Sequence, residues 1–308
     1  MMSVVQERDL AAIGAEVEFP AALAYGSRRA RRERAGPGLA VDRLTELADW
    51  WANVAGNPVP RRVVQLWLSG PAIGPQASAE LVVRPFDAPK TVPEAIEWGV
   101  AMADAAVDEA TDLLLVSIGS ENRDEIGWQV LAAHLLDLDP LEAIGWPTAD
   151  RTTDPEWVQR VAGVRDGLRR VRGIRNQPER LLEVLDSPAL AAGTGLLLQA
   201  AARRTPALLD GPGAAACALL AHRVGRASRN WWQACDAGHR GLHDRVLTEL
   251  RLTPLTRFGL PVEDGTAPRL GLALLETALN WATEDPDDEA SEPVDHQHDA
   301  PGSTSPNA

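Results

Sequence analysis

The chain has 308 residues, of which 45% are hydrophobic and 24% are charged, a composition that suits one large domain or a domain with a smaller lobe. Its 44 acidic side chains outnumber 30 basic ones, and the formal net charge of -14 argues against nucleic acids and anionic membranes as partners. Eight of the acidic side chains lie in 284–299, where there is no Lys or Arg. Without those eight the net charge becomes -6, so the part expected to fold is only mildly acidic.

The two cysteines, Cys217 and Cys235, each lie within an apolar element and are expected to be buried free thiols. Their spacing is not that of metal ligands, and nothing indicates a disulfide framework. Residues 1–7 lack the basic and apolar pattern of a leader peptide, and no apolar run has the length of a membrane span. We expect a cytoplasmic protein with no metal site, no cofactor and no membrane partner. His296 and His298, in the acidic tail, do not indicate a metal site.

The hydrophobic pattern predicts an alternation of helices and strands. Helical spacing with prolines or capping residues at the start predicts helices at 42–54, 91–110, 124–136, 155–172, 179–185, 188–203, 212–224 and 266–282, with another helix after a polar turn that carries His239 and His243. Apolar runs bounded by turn residues predict strands at 62–68, 112–118, 207–209 and 230–235, with weaker candidates at 80–83 and 141–146. Continuous apolar strands are typical of a parallel sheet that is covered on both faces.

This alternation predicts an α/β fold with an open, mostly parallel sheet. Residues 1–40 form a poorly patterned N-terminal arm, and the main domain covers 41–283. The basic run at 27–34 is interpreted as a solvated arm, with an anion-binding arm as the alternative. Residues 284–308 are too acidic and too rich in Pro and Ser to bury a core, so a disordered tail is expected.

Ligands of open α/β sheets bind outside the carboxyl ends of the strands. The strand at 207–209 runs into the pair Asp210-Gly211 and then into a helix, and a second acidic turn precedes the last helix. We therefore predict that one rim of the sheet gathers the polar residues Asp210, Gly211, Asp236, His239, His243, Glu263, Asp264, Gly265 and Thr266.

Five stretches in series extend this interpretation to a family. They are ADAAVDEATDLLLVS (103–117), VRDGLRRVR (164–172), QAAARRTPALLDG (199–211), NWWQA (230–234) and EDGTA (263–267). In order and spacing they resemble nicotinate-nucleotide:dimethylbenzimidazole phosphoribosyltransferase, an enzyme of cobamide lower-ligand assembly. The resemblance covers about residues 40–283, and it depends on the serial order of the stretches more than on any one of them.

The resemblance implies a doubly wound, mostly parallel sheet with a smaller helical lobe built from both chain ends, about 41–58 and 266–283. It also implies a homodimer that transfers 5-phosphoribose from nicotinate mononucleotide to a nitrogen of a benzimidazole-type base. The leaving group already carries a positive charge on its ring nitrogen. The protein therefore has to orient two flat rings, hold a phosphate and remove one proton. In the family a glutamate in a Gly-Glu-Gly-Thr-Gly loop accepts that proton. Its place falls on Asp264, with Glu263 immediately before it.

The resemblance also assigns the substrate loops, and here the chain departs from the family pattern. The first glycine-rich loop falls on 118–126, where Gly119 remains and most other glycines are gone. The phosphate loop falls on 145–149 and keeps Thr148, and the lysine that follows it becomes Arg160. His243 keeps the place of a later histidine. Fewer glycines leave fewer backbone N–H groups open to a phosphate.

Three hypotheses follow. The first is a divergent transferase in which Asp264 or Glu263 accepts the proton, Arg160 and Thr148 help to hold phosphate, and Asp210, Gly211, Gly265 and Thr266 line the pocket. The second is a non-catalytic paralogue that binds a partner subunit or ligand on the same fold. The third is a hydrolase that uses water in place of the base.

Each site residue also has a purely structural alternative. These alternatives are a helix cap for Asp264, a strand-to-helix turn for Asp210-Gly211, a solvated helix face for Arg160, a polar turn for 121–123 and core or dimer packing for Trp231-Trp232.

Overall fold

The protein was analysed as a computed structural model, which describes residues 9–20, 42–55, 57–68, 80–85, 89, 91–118, 122–146, 154–174, 176–238, 241–260 and 263–283. Five strands form its sheet, and they are β1 (Arg62–Leu68), β2 (Glu80–Pro85), β3 (Leu113–Ile118), β4 (Ala207–Asp210) and β5 (Trp232–Ala234). Their spatial order is β2-β1-β3-β4-β5, and every pairing among them is parallel. The predicted α/β class with a parallel sheet is confirmed, and the order reverses between β1 and β3.

The helices of the described chain are α1 (Leu10–Glu16), α2 (Asp42–Val54), α3 (Val92–Asp108), α4 (Asn122–Leu135), α5 (Pro140–Ile144), α6 (Asp154–Arg170), α7 (Pro178–Leu185), α8 (Pro188–Ala202), α9 (Gly211–Val224), α10 (Gly241–Leu250) and α11 (Thr266–Thr283). One layer contains α8 and α9, because Gly193 of α8 lies against Ile118 of β3. The other layer contains α11, whose Gly271 lies against Leu208 of β4. The sheet is therefore sandwiched, which explains why all six residues of β3 are buried.

Helices α3 and α8 cross at very short range. A methyl group placed on Gly99 of α3 would lie 2.1 Å from the carbonyl oxygen of Ala192 in α8. The reciprocal methyl group on Gly195 of α8 would lie 2.7 Å from the carbonyl oxygen of Ile96. Small residues on both helices let the two backbones touch.

The structure corrects two predictions. Residues 141–146 do not form a strand, because Asp139 caps a short helix there through a reciprocal contact with Glu142, and Pro140 occupies its first turn. The second correction lies within 9–20, where the sequence pattern predicted no element and the structure has α1. Asp9 caps α1, and Leu10 and Ile13 of that helix are fully buried.

Other boundaries moved by a few residues. The weak strand candidate at 80–83 is confirmed as β2 and extends to Pro85. The strand predicted at 230–235 is shorter, because a 3-10 turn over Ser228–Trp231 leads into β5. Helices α2 and α11 pack against each other, as a lobe from both chain ends requires, but the division into domains remains a prediction.

Both cysteines are buried and free, as expected. No helix among the described residues combines the length and the apolar character needed to cross a membrane. Within the same residues no group of three or more metal-ligating side chains is close enough to hold an ion.

We predict that Gly99→Ala destabilises the protein by about 3 kcal/mol, because the new methyl group meets backbone that cannot move aside. Chemical denaturation measures this change. Gly241→Ala is the matched control, since a methyl group at Gly241, the first residue of α10, has no neighbour within 4 Å. Equal stability of the two variants would show that α3 and α8 are not in backbone contact.

Candidate active site at the carboxyl ends of β3 and β4

A buried carboxylate lies where β4 ends. Asp210 is the last residue of β4 and pairs in register with Ser117 of β3, so the two side chains point to the same face of the sheet. The Ser117 hydroxyl donates to Asp210 Oδ2 at 2.7 Å. Asp210 is only 1% exposed. The carboxylate thus lies beneath the rim of the sheet and is not part of its open surface.

The acidic turn before α11 meets this carboxylate. The Gly265 N–H donates to Asp210 Oδ2 at 2.9 Å. Two residues earlier, Glu263 Oε1 accepts the N–H of Gly213, in the first turn of α9, at 2.8 Å. The turn is therefore bound at both of its ends to the junction between β4 and α9, and Asp210 and the 263–266 turn share one site as predicted.

Two glycines make room for the Glu263 side chain. Gly211 has a φ of +71°, and a methyl group there would lie 2.4 Å from Glu263 Cγ. A methyl group on Gly213 would lie 2.6 Å from the carbonyl oxygen of Ile118, at the end of β3. The Glu263 carboxylate therefore occupies a crevice between the end of β3 and the start of α9, where its negative charge is favoured by the helix N-terminus.

Asp264 has a different role in the geometry. Its Oδ1 accepts the N–H of Thr266 at 2.9 Å, at the start of α11. This contact is the helix-capping arrangement that was the structural alternative for Asp264. Of the two adjacent acidic residues, Glu263 reaches the α9 terminus and Asp264 caps α11.

A second acidic residue holds the segment that leads into the site. Asp236 accepts hydrogen bonds from Gly238 N (2.8 Å), Thr256 Oγ1 (2.6 Å), Phe258 N (2.7 Å) and Leu260 N (3.0 Å). Burial alone would raise its pKa, but the bonds from Thr256 and the three N–H groups hold the pKa below its usual value. Asp236 thus acts as an ionised anchor for 256–260.

His243 lies beside this anchor and not in an open turn. It is on α10, is 2% exposed, and its Nδ1 donates to the carbonyl oxygen of Ala237 at 2.9 Å. This burial shows that His243 is not an ordinary surface histidine.

The pKa of Asp210 is shifted in the opposite direction to the pKa of Asp236. Burial of Asp210 raises its pKa to about 7, because the bonds from Ser117 and Gly265 only partly offset desolvation, and the charges of Asp264 and Asp236 raise it further. The neighbouring Cys235 thiol is also affected. Burial, followed by the charges of Asp210 and Asp236, raises its pKa well above the usual range, so it is an unreactive thiol.

The predicted site residues did not include three polar residues that lie on this face of the sheet, Ser117, Gln65 and Arg269. Gln65 of β1, fully buried, accepts the Arg269 Nε–H of α11 at 2.9 Å. A signal was available for Gln65 and Ser117, since each interrupts an otherwise apolar strand. Arg269 carried no signal that distinguished it from an ordinary surface cation.

The structure places Arg160 toward the same edge of the sheet. Helix α6 packs along α4, because Gly163 meets Ile126 and Gly167 meets Val130. Arg160, one turn before Gly163, is therefore level with the start of α4, which follows the carboxyl end of β3. Its proposed phosphate contact remains a prediction. The other predicted residues outside the described part of the chain, or without described side chains, are Gly119, Glu121, Asn122, Arg123, Thr148 and His239, together with 27–34 and the tail.

Comparison with known proteins decides the family. A family model described as phosphoribosyltransferase matches residues 87–291, more than half of the chain. Proteins named nicotinate-nucleotide–dimethylbenzimidazole phosphoribosyltransferase are similar in sequence, among them one from Mycobacterium ulcerans that is 35% identical over 79% of this chain and 67% of its own length. The chain belongs to this phosphoribosyltransferase family.

Further relatives match over a smaller share of their length. The phosphoribosyltransferase of Streptomyces avermitilis is 36% identical over 62% of this chain, which is 51% of that protein. The chain thus spans between about half and two thirds of the curated relatives it matches. The crystal structure of CobT from Thermus thermophilus superposes with a TM-score of 0.69, covering 86% of this chain and 97% of that one at 20% identity. This likeness shows that the phosphoribosyltransferase fold is shared.

We predict that Asp210→Asn changes the pH dependence of stability. Asp210 has a pKa of about 7 in the folded state against 3.8 when unperturbed, so the folded protein holds more protons between those values and becomes less stable as the pH rises through them. The loss is up to about 4 kcal/mol at about 1.36 kcal/mol per pH unit. Asparagine does not titrate, so the melting temperature of the variant relative to the unmodified protein should be higher at pH 8 than at pH 5.

Asp236→Asn is the matched control for this measurement. The pKa of Asp236 is lowered, so its ionised form stabilises the fold above about pH 4, and its loss should destabilise the protein at pH 5 and pH 8 alike. If the two variants shifted in parallel at both pH values, Asp210 would not be titrating in the folded state.

Proposed function

We propose that the protein transfers 5-phosphoribose from nicotinate mononucleotide to a ring nitrogen of a benzimidazole-type base. Membership of the family supports this proposal, as do the names of relatives at 35% identity. The observation that carries it at the site is the Glu263 carboxylate, held in the crevice between β3 and α9 by the Gly213 N–H.

The reaction needs few groups from the protein. One nitrogen of the base forms a bond to C1′ of the ribose, and the bond from C1′ to the nicotinate ring nitrogen breaks. The electron pair of that bond neutralises the positive charge on the nicotinate ring. The acceptor ring then carries a surplus proton on its other nitrogen, and a carboxylate takes it.

Glu263 is the better placed of the two acidic candidates for that proton. The Gly213 N–H and the terminus of α9 favour its ionised form, which is the form that accepts a proton. Asp264 accepts the Thr266 N–H, so it is engaged at the start of α11. In this proposal Asp264 shapes the turn, and Gly211, Gly265 and Thr266 border the crevice.

The phosphate contacts are a separate part of the proposal. Arg160 supplies a cation near the start of α4, and Gly119 and Thr148, which lie outside the described residues, are proposed to contribute from the segments that follow β3 and α5 in sequence. His243 is also proposed to contact substrate, on the basis of the resemblance. Its ring donates to the carbonyl oxygen of Ala237, which directly follows the anchoring residue Asp236.

We predict that Glu263→Gln lowers the rate of nicotinate release by about 10² to 10⁴-fold in an assay with nicotinate mononucleotide and dimethylbenzimidazole. Glutamine keeps the oxygen that accepts the Gly213 N–H but cannot accept the proton. Asp264→Asn should lower the rate by less than about tenfold, because asparagine also caps helices well. Liquid chromatography of free nicotinate measures both variants.

The reverse order of the two variants would assign the proton transfer to Asp264. Absence of release from the unmodified protein, together with no thermal shift on adding either substrate, would favour the non-catalytic paralogue. Release that does not need the base would favour the hydrolase.

We also propose a cytoplasmic homodimer. The dimer rests on the resemblance, and the location is supported by two buried free thiols, which are typical of a reducing compartment. Light scattering after gel filtration should then give a mass of about 66 kDa, twice the 33.1 kDa of one chain. A mass near that of a single chain would remove the dimer from the proposal.

A further inference from the structure

The Asp210 side chain joins three segments that are distant in sequence. It ends β4, receives the Ser117 hydroxyl from β3, and receives the Gly265 N–H from the turn before α11. Both donors reach the same oxygen, Oδ2, and the side chain is almost completely buried. A residue with 1% exposure has little surface with which to touch a substrate, so its effect on the reaction has to pass through the groups it holds.

The residues after Asp210 hold the other end of the same turn. Gly211 leaves the space that the Glu263 side chain fills, and Gly213 donates to Glu263 Oε1 at 2.8 Å. Residues 210–213 therefore bind residues 263–265 at two points, one at the Gly265 backbone and one at the Glu263 carboxylate. Gly265 has a φ of +81°, a conformation that other residues rarely adopt, so the turn cannot easily shift its path between these points.

We propose that Asp210, oriented by Ser117, is a positioning residue that sets the place of the Glu263 carboxylate by holding the backbone of Gly265. The inference rests on the proposed function in so far as it concerns proton transfer. The hydrogen bond from the Gly265 N–H to Asp210 is called the tether below. Its loss lets the turn move, and a displacement of about 1 Å at a reacting group lowers rates by about 100-fold.

The charge on Asp210 controls the strength of the tether. An ionised carboxylate accepts the two donors more strongly than a protonated one does. The titratable groups that face it are Asp264 in the same turn, and Cys235 and Asp236 after β5. Burial, followed by the two acidic neighbours, favours the protonated form of Asp210, so the tether weakens as the pH falls below neutrality.

Steady-state nicotinate release tests the role in the reaction. Asp210→Ala should lower kcat by about 100-fold and change KM for nicotinate mononucleotide by less than about threefold, because the substrate does not touch this side chain. Asp210→Asn keeps a neutral oxygen for both donors, so its kcat should exceed that of Asp210→Ala, should be close to that of the unmodified protein at about pH 6, and should lose the rise of kcat between about pH 6 and pH 8. A change in KM with kcat preserved, or an unaltered pH profile in Asp210→Asn, would overturn the proposal.

Ser117→Ala and Thr194→Val form a matched pair of buried hydroxyl deletions. Ser117 bonds to Asp210, whereas Thr194 bonds to the carbonyl oxygen of Leu190 within α8. Ser117→Ala should lower kcat by about tenfold and Thr194→Val should leave it unchanged, although both remove one internal hydrogen bond. Equal effects of the two variants would show that only stability is being measured.

Hydrogen exchange tests the tether without a measurement of catalytic activity. Mass spectrometry of the peptide covering 263–267 should show at least about tenfold faster exchange in Asp210→Ala and Ser117→Ala, and no change in Thr194→Val. Unchanged exchange in Asp210→Ala overturns the inference even if the unmodified protein is an active transferase. Faster exchange in a protein that releases no nicotinate upholds the tether and rejects the proposed function instead.

Discussion

The site depends on how this sheet ends. Parallel strands leave their last carbonyl and N–H groups at one edge, and the chain must satisfy them while keeping a crevice open. At this edge the Asp210 carboxylate accepts the Ser117 hydroxyl from the neighbouring strand and the Gly265 N–H from the last turn before α11. Segments 93 and 55 residues away in sequence are thereby fixed relative to the end of β4. The position of Glu263 follows from that contact.

Two neighbouring carboxylates perform similar tasks in opposite electrostatic states. Asp236 has four donors, three of them backbone N–H groups, and its pKa is lowered although burial opposes this. Asp210 has two donors and almost no contact with solvent, and its pKa is raised to about 7. The depth of burial and the number of donors together decide between them, because desolvation is the largest cause of the shift at Asp210 and each donor offsets part of it. The segment 256–260 is thus anchored at all ordinary pH values, whereas the turn at 263–265 is held by a group that titrates near neutrality.

The sequence predicted the helices and strands better than it predicted the side-chain contacts between them. The apolar run in 112–118 and the Asp210-Gly211 pair were sufficient for β3, β4 and the start of α9, because local pattern and final structure agree there. The strand predicted at 141–146 was wrong because Leu141, Ala143 and Ile144 suit a strand as well as a helix, and the Asp139 cap with Pro140 in the first turn selects the helix. The partnership of Ser117 with Asp210 could not be predicted, since it depends on the register between two strands.

The choice between Glu263 and Asp264 needed the structure for a related reason. The resemblance aligned the family glutamate with Asp264 and placed Glu263 where the family loop has a glycine. An adjacent pair of acidic residues in a turn points its side chains in different directions, and sequence alone does not say which one faces the crevice. Here the chain supplies glycine on the opposite wall, at 211 and 213, and those two positions admit the longer side chain of Glu263.

This exchange keeps one carboxylate in the crevice while moving it by one residue along the chain. The moved carboxylate lies against the N-terminus of α9, which stabilises its charge, and the vacated position provides a cap for α11. A shift of this kind preserves the chemistry only if the turn is held firmly, because the carboxylate now starts from a different backbone position. The tether from Asp210 to Gly265 holds the turn at the backbone, and the Gly213 N–H holds it at the carboxylate.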